Sequence, residues 1–313
     1  MHNHNSPEII RIDEQNFGSH VEHWSLLDED ACAVVPSWLG QALNAPIMPM
    51  GLCAQESDMD PTTWLIQGPQ HSAVMLNQVI DVVEHKPQAV KTAFPSFSSP
   101  YKIKATVQRI ICSQSNSQAV LQLNLGANAV VYAFDTLYSV NHTQYQKQQD
   151  YAVQLNAWAY DLEKVADHEQ IVVDDAASIK HHRALNDILS AHQGIAPDNL
   201  QELIDAWQPK SAQDLEPVTV DFSKMVAYLY GETLGQEDEA WFQGKIVGIS
   251  SMKFMEKDIQ LYDVTLMLEQ NQPAILVRVA APNATAQQFA IGQYIRGNIW
   301  IQAEIHQPHI NKA

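Results

Sequence analysis

Tyr294-Ile-Arg-Gly-Asn-Ile-Trp-Ile-Gln-Ala-Glu-Ile305 alternates: Ile295, Gly297, Ile299, Ile301, Ala303 and Ile305 are small or apolar, while Arg296 and Asn298 fall on the other face. A period of two sustained over such a run reads as a strand with one continuously buried face. Trp300 falls on the mixed face, either as a core residue beneath a second layer or as a ring in a binding surface. Large aromatics usually bury most of their area, so the core reading is preferred. An earlier stretch, Tyr151-Ala-Val-Gln-Leu-Asn-Ala-Trp-Ala-Tyr160, reads as a second long strand. Gln149-Asp150-Tyr151, Trp158 and Glu163 can be laid beside Gly292-Gln293-Tyr294, Trp300 and Glu304. The Tyr-to-Trp spacing differs by one residue, which calls for a bulge or a shifted register.

Working outward from these two strands, the segments that precede them repeat an order of β signals. In residues 101–165, Ile103, Ala105 and Val107, then Val120, Leu121, Leu123 and Leu125, flank the turn-rich Ser113-Gln-Ser-Asn-Ser117 as a hairpin, and the apolar run Ala129–Phe134 follows. In residues 241–305, Phe242–Ile249, Leu261–Leu268 and Ala274–Ala280 come in the same order before Tyr294–Ile305. Charge follows the same partition. Residues 1–100 carry −9, residues 101–165 carry +1, residues 166–240 carry −11 and residues 241–305 carry 0, so two neutral β segments alternate with two acidic ones.

These features predict an α+β protein built on a weak tandem duplication, with each neutral segment resembling a small OB-like antiparallel β module. Closure into a barrel would remove exposed sheet edges. The expected organisation is an N-terminal mixed α/β region (1–100), a first β module (101–165), an acidic helical connector (166–240), a second β module (241–305) and a mobile tail (306–313). In the connector, Ser178 is expected to cap a helix that Gly194 stops, and Asp198 a second one that Pro209 ends, with Phe222–Tyr230 as a third short element. In the first hundred residues Val74–Glu84 (VMLNQVIDVVE) reads as an amphipathic helix, and Cys32–Val35 and Trp64–Gln67 as short strands. Prolines interrupt the rest, and Phe94–Pro100 marks a boundary.

The whole chain of 313 residues carries 18 Lys and Arg against 36 Asp and Glu, a net −18. Such a charge repels polyphosphate, so nucleic acid is an unfavourable partner, as is an anionic membrane surface. No run approaches the length of a bilayer span, and the first residues have neither the basic nor the apolar region of a secretory signal. Three widely spaced cysteines, Cys32, Cys53 and Cys112, suit reduced thiols, and a cytoplasmic location is expected.

Motif chemistry is sparse. The phosphate-cradling, dinucleotide, nucleophile-elbow and zincin signatures do not occur, and no cofactor is expected. His20 and His23 have helix-face spacing for a metal but no visible third ligand. Cys53, in a loop with His71 downstream, is read as an inert buried thiol. The runs Asp28–Asp30, Asp174-Asp175 and Glu237–Glu239 lack the ligand spacing of a calcium loop and are read as solvated charge. The candidate binding residues are aromatic: Tyr132 and Tyr138 in the first module, and Trp158 and Trp300 in the closing strands, where exposed rings could stack on a ligand. Together these point to a non-catalytic binding or assembly protein that presents β edges or loops to a protein partner or to an identical chain. An enzyme or small-molecule binder, with its site in the N-terminal region or between the modules, is the alternative. Single-strand nucleic-acid binding ranks third.

Overall fold

A computed structural model describes residues 6–13, 20–126, 129–230, 237–268, 272–282 and 288–306. In chain order its elements are β1 (Glu8–Ile12), α1 (Ala31–Ala42), β2 (Thr63–Gly68), β3 (Met75–Val83), β4 (Lys86–Ser96), β5 (Lys102–Ser113), β6 (Ala119–Asn124), β7 (Val130–Asp135), α2 (Tyr138–Asn141), β8 (Asp150–Ala159) and β9 (Glu163–Lys164). They continue with β10 (Gln170–Val173), α3 (Ala176–Ala191), α4 (Leu200–Ala206), β11 (Val218–Asp221), β12 (Ala227–Tyr230), β13 (Glu239–Phe254), β14 (Lys257–Met267), β15 (Ile275–Ala281) and β16 (Tyr294–His306). Two compact units result: Val165–Met225 forms one, and the rest of the chain forms the other.

The larger unit is organised by an 11-stranded mixed sheet. Its pairings close two circuits. One runs β5–β6–β7–β16–β8 and back to β5; the other runs β13–β14–β15–β8–β16 and back to β13. The circuits share β8 and β16, which pair antiparallel from Ile301 opposite Ala157 to His306 opposite Ala152. Each then borrows a parallel neighbour from the other segment, β16 beside β7 and β8 beside β15. The strand order expected to repeat does repeat, down to a register shift between Val107 and Arg109 in β5 and between Ile246 and Gly248 in β13.

That arrangement corrects the expected fold class. The protein is mostly β, with 46% of the described residues in strands and 18% in helices, and its two β segments are not small antiparallel OB-like modules joined by a helical connector. Neither segment closes on itself, because the strand that completes each circuit comes from the other segment. The sheet is mixed, since β1–β5, β7–β16 and β15–β8 are parallel. A periodicity argument sees which face of a strand is buried but not which neighbour buries it, so segment-by-segment reading could not find the exchange.

The alternation in Tyr294–Ile305 is as read. Ile295, Ile299, Ile301, Ala303 and Ile305 are buried in one apolar core that also takes Tyr151, Val153, Leu155 and Ala157 of β8. Trp158 and Trp300 are fully buried on the opposite face. They do not occupy matching positions in the two circuits. Asp150 pairs with Thr106 as Tyr294 pairs with Lys245, so Asn156 corresponds to Trp300, and Trp158 to Gln302.

A three-stranded antiparallel sheet, β2–β3–β4, covers this outer face. Phe94 meets Phe134 edge-on with centroids 4.7 Å apart, Phe97 meets Trp158 at 4.8 Å, and Gln302 donates to the Pro95 carbonyl at 2.8 Å. Val74–Glu84, read as a helix, is instead mostly β3. Its β-branched residues favour the pleated state. Leu76–Ile80 is buried without interruption, because one face meets the core and the other meets α1, where Gln78 donates to the Leu39 carbonyl. Cys32–Val35, read as a strand, lies in α1, whereas Trp64–Gln67 is in β2 as expected.

In the smaller unit, α3 is capped by Asp175, whose side chain accepts from the Ser178 N–H at 2.8 Å, so the cap lies three residues before the residue expected to supply it. Gly194, at φ 84°, ends the turn after the helix, as only a left-handed residue can. Asn199 precedes α4 instead of Asp198. This unit also contains the antiparallel pair β10–β11, and β12 belongs to the large sheet, so residues 166–240 are more than a helical connector.

Because Ile301 lies on a strand common to both circuits, Ile301→Ala should cost about 2–5 kcal/mol. Urea unfolding followed by tryptophan fluorescence and by far-UV dichroism should show one shared transition moving to lower denaturant. A loss below about 1 kcal/mol, or separate transitions for the two circuits, would contradict the shared-strand fold.

Candidate functional site

A cleft of about 490 Å³ opens between the small sheet and the outer face of the large one. Gln67, Ser72, Met75, Ser96, Phe97 and Ser98 form one side; Ser250–Met252, Leu261, Arg278 and Glu304 form the other. The volume falls in the range of ordinary ligand sites, and the lining mixes hydroxyls and an amide with a few apolar side chains.

Two charged side chains reach the cleft, and each is held by neighbours. Arg278, in the middle of β15, projects to the outer face because Val277 and Val279 turn inward. Its Nε donates to Asp263 Oδ1 at 2.7 Å and its Nη2 to Oδ2 at 3.0 Å, while the Tyr101 hydroxyl donates to the same carboxylate at 2.9 Å. The bidentate bond to Asp263 raises the guanidinium pKa further, and burial followed by the adjacent carboxylate raises that of Tyr101. The planar fork is thereby fixed in direction. Glu304 accepts from Ser98 Oγ at 3.2 Å, and His306 Nε2 lies 3.0 Å from its other oxygen. Ser98, Glu304 and His306 are the residue types of a hydrolytic triad in the wrong order. The carboxylate stands between the hydroxyl and the imidazole, so the imidazole cannot take the serine proton. The cleft can hold and orient a ligand through hydrogen bonds.

A second polar centre lies on the same outer face. Tyr160 donates to Glu239 Oε1 at 2.6 Å, and His23 Nε2 sits 2.6 Å from the Tyr160 hydroxyl, which places the imidazole proton on Nε2. The His23 ring lies 4.0 Å from that of Trp300, whose indole N–H donates to Asp238 Oδ2 at 2.8 Å. These bonds fasten the segment His20–Leu26 to β13 and β16.

The residues singled out in the sequence are dispersed. Trp158 and Trp300 are core side chains of the outer face, and Tyr138 is buried in the main core. Tyr132 is nearly buried beside Ile111 and Val120, with its ring 4.9 Å from that of Tyr230. His23 is in the hydrogen-bonded centre just described, whereas the side chain of His20 lies outside the described residues. No group of three His, Cys, Asp or Glu side chains that could hold a metal occurs among the described residues. Cys53 is buried, with Sγ 3.6 Å from the Val140 carbonyl and its pKa raised by burial; no hydrogen bond joins it to His71 among the described residues. Of the acidic runs, Asp28 pairs with Lys257 at 2.7 Å, Asp175 caps α3, and Asp238 and Glu239 serve Trp300 and Tyr160. Among the described residues, no helix is long and apolar enough to cross a membrane.

The sequence reading missed Arg278, Asp263, Glu304 and Asp135. The first two were visible as lone charges inside apolar strand runs, a placement that demands a partner. Compared with protein-family models, curated proteins and solved structures, the chain matches none.

Asp135, at the end of β7, is fully buried. It accepts from the Tyr145 hydroxyl in a very short bond and from the Leu137 N–H at 3.0 Å, and burial raises its pKa to about 7. A carboxyl held above its unfolded value of about 4 contributes stability that is complete below that value and is lost as the pH rises through about 7. The melting temperature of Asp135→Asn relative to wild type should therefore climb between pH ~5 and pH ~8, read by calorimetry at both. A difference independent of pH would show that the carboxyl is already ionised in the fold.

Proposed function

We propose that this is a non-catalytic binding protein whose ligand occupies the cleft between the β2–β4 sheet and the outer face of the large sheet. The observation that carries the reading is the pair of immobilised, oppositely charged groups in one cleft. Arg278 is fixed by Asp263 and offers its remaining N–H donors, while Glu304, held by Ser98 and His306, offers acceptors. Groups already fixed by their neighbours lose little freedom when a ligand arrives, which favours recognition. The triad residues in unproductive order support a binding role over hydrolysis. The net charge of −18 disfavours nucleic acid as the ligand. Three free cysteines suit a reducing compartment, and the reading places the protein in the cytoplasm.

Ser98 is exposed at the mouth of the cleft, so Ser98→Trp should fill it without disturbing the core. A thermal-shift screen with the standard amino acids, common mono- and disaccharides and a random hexapeptide library should find a stabilising compound. At a hundred times its Kd such a compound adds about 2.7 kcal/mol. The shift should disappear in Ser98→Trp. No shift from any of the three sets, or a shift that survives the blocking substitution, would contradict the assignment.

A further inference from the structure

The strands that make up the two circuits pair alike, but the strand added beside β5 has no counterpart beside β13. β5 uses Lys102–Thr106 against β8, and farther along that strand Arg109–Ser113 receives the parallel strand β1. β13 uses Glu239–Lys245 against β16. Since both strands shift register at the same step, Gly248–Met252 is the counterpart of Arg109–Ser113. Among the described residues, no strand pairs with β13 there on the edge away from β14. The hairpin decides which groups are left over. Phe254 and Lys257 close a two-residue turn, so Ser250, Met252 and Phe254 bond to β14, while Ile249, Ser251 and Lys253 direct their N–H and C=O groups to the open edge.

That edge borders the cleft. Ser250, Ser251 and Met252 are consecutive, with side chains alternating between faces, yet all three line it. We infer that the edge accepts an extended peptide from a partner protein, with alternating apolar and acidic residues, laid along β13 as β1 lies along β5. This rests on the cleft being the ligand site and names the class of ligand. Main-chain bonds to Ile249, Ser251 and Lys253 would hold the peptide, and pockets for alternate side chains would select it. Inward residues meet Phe97, Met75 and Leu261, which are apolar. Outward residues meet the face of β13 that carries Lys253, opposite the face of Met252 and Phe254. Lys253 has only a loose pairing with Asp258, at 4.0 Å with both side chains largely exposed, and such a pair yields readily to a competitor. The first circuit already uses this chemistry: Glu8 of the added strand bonds Arg109 of the receiving strand at 2.8 Å. Lys253 on both copies would bring like charges together along an identical edge, which argues against a second copy as the occupant.

The probe is fluorescein-labelled Glu-Val-Glu-Val-Glu-Val-amide, titrated with the full chain and followed by anisotropy. Saturable binding is expected, weakened at least tenfold by Ser251→Pro, which removes an outward N–H at an edge position where proline is tolerated. Lys253→Glu and the Lys-Val-Lys-Val-Lys-Val peptide should each weaken it as well. Should Ser251→Pro lower the melting temperature, a peptide N-methylated at alternate residues replaces it as the test and is expected not to bind. Absence of saturable binding at millimolar peptide, or equal binding by the N-methylated peptide or by a well-folded Ser251→Pro, overturns the inference. A ligand from the thermal-shift screen that Ser98→Trp blocks and Ser251→Pro leaves alone would keep the cleft assignment and discard the strand. Peptide binding indifferent to both substitutions would discard both.

Discussion

The antiparallel pairing of β8 with β16, beginning at Ala157 opposite Ile301, is the contact on which the larger unit depends. Each strand has neighbours on both edges, and each closes one circuit while completing the other. Without it, β5–β7 and β13–β15 would be two three-stranded ribbons with open edges and half a core each. The inward residues of the pair, Val153, Leu155, Ile301, Ala303 and Ile305, belong to a single apolar cluster that runs through both circuits. Burial here scales with both segments at once, so neither can be lost without exposing the other's apolar face.

The outer face of the same pair determines where polar chemistry can sit. Apolar neighbours cover it over Trp158 and Trp300, and farther along it the cleft opens at Glu304 and Arg278. Arg278 and Asp263 satisfy each other in a bidentate bond on this face, as a partly buried charge must. Asp135 meets the same demand differently. It is fully buried and within reach of a tyrosine hydroxyl and a backbone N–H, with no cation bonded to it among the described residues, and burial raises its pKa. Packing thus pairs one carboxylate with a guanidinium at the cleft and draws another toward the neutral form inside.

What the sequence revealed and what it concealed divide along physical lines. The buried face of Tyr294–Ile305 was legible because its period of two persists over six inward positions. The repeated strand order was legible for the same reason. The partner of each strand was not: β7 beside β16 and β15 beside β8 are contacts between distant segments, and period carries no information on which neighbour fills an edge. Val74–Glu84 misled because a strand buried on both faces loses its alternation and resembles one side of a helix. The cleft was half visible. A lone Arg278 within Ile-Leu-Val-Arg-Val-Ala and a lone Asp263 within Leu-Tyr-Asp-Val-Thr each signalled a charge needing a partner, but only the β14–β15 register shows that they face each other. Trp158 and Trp300 are aromatic rings that could stack on a ligand if exposed, but the size of the ring is also what places both in the core.

The most direct test of the shared-strand arrangement is a cross-link at the seam. Gln154 of β8 stands opposite Glu304 of β16. Cysteines at these two positions of a chain lacking its native thiols should form a disulfide under mild oxidation, since opposed residues of antiparallel strands bring their Cβ atoms near the separation such a bond requires. After protease cleavage within residues 165–225, the two fragments should then migrate as one species until reductant is added. If Gln154→Cys/Glu304→Cys stays reduced under conditions where a Lys102→Cys/Gln154→Cys pair across β5 and β8 oxidises, β8 and β16 are not neighbours and each β segment closes without the other.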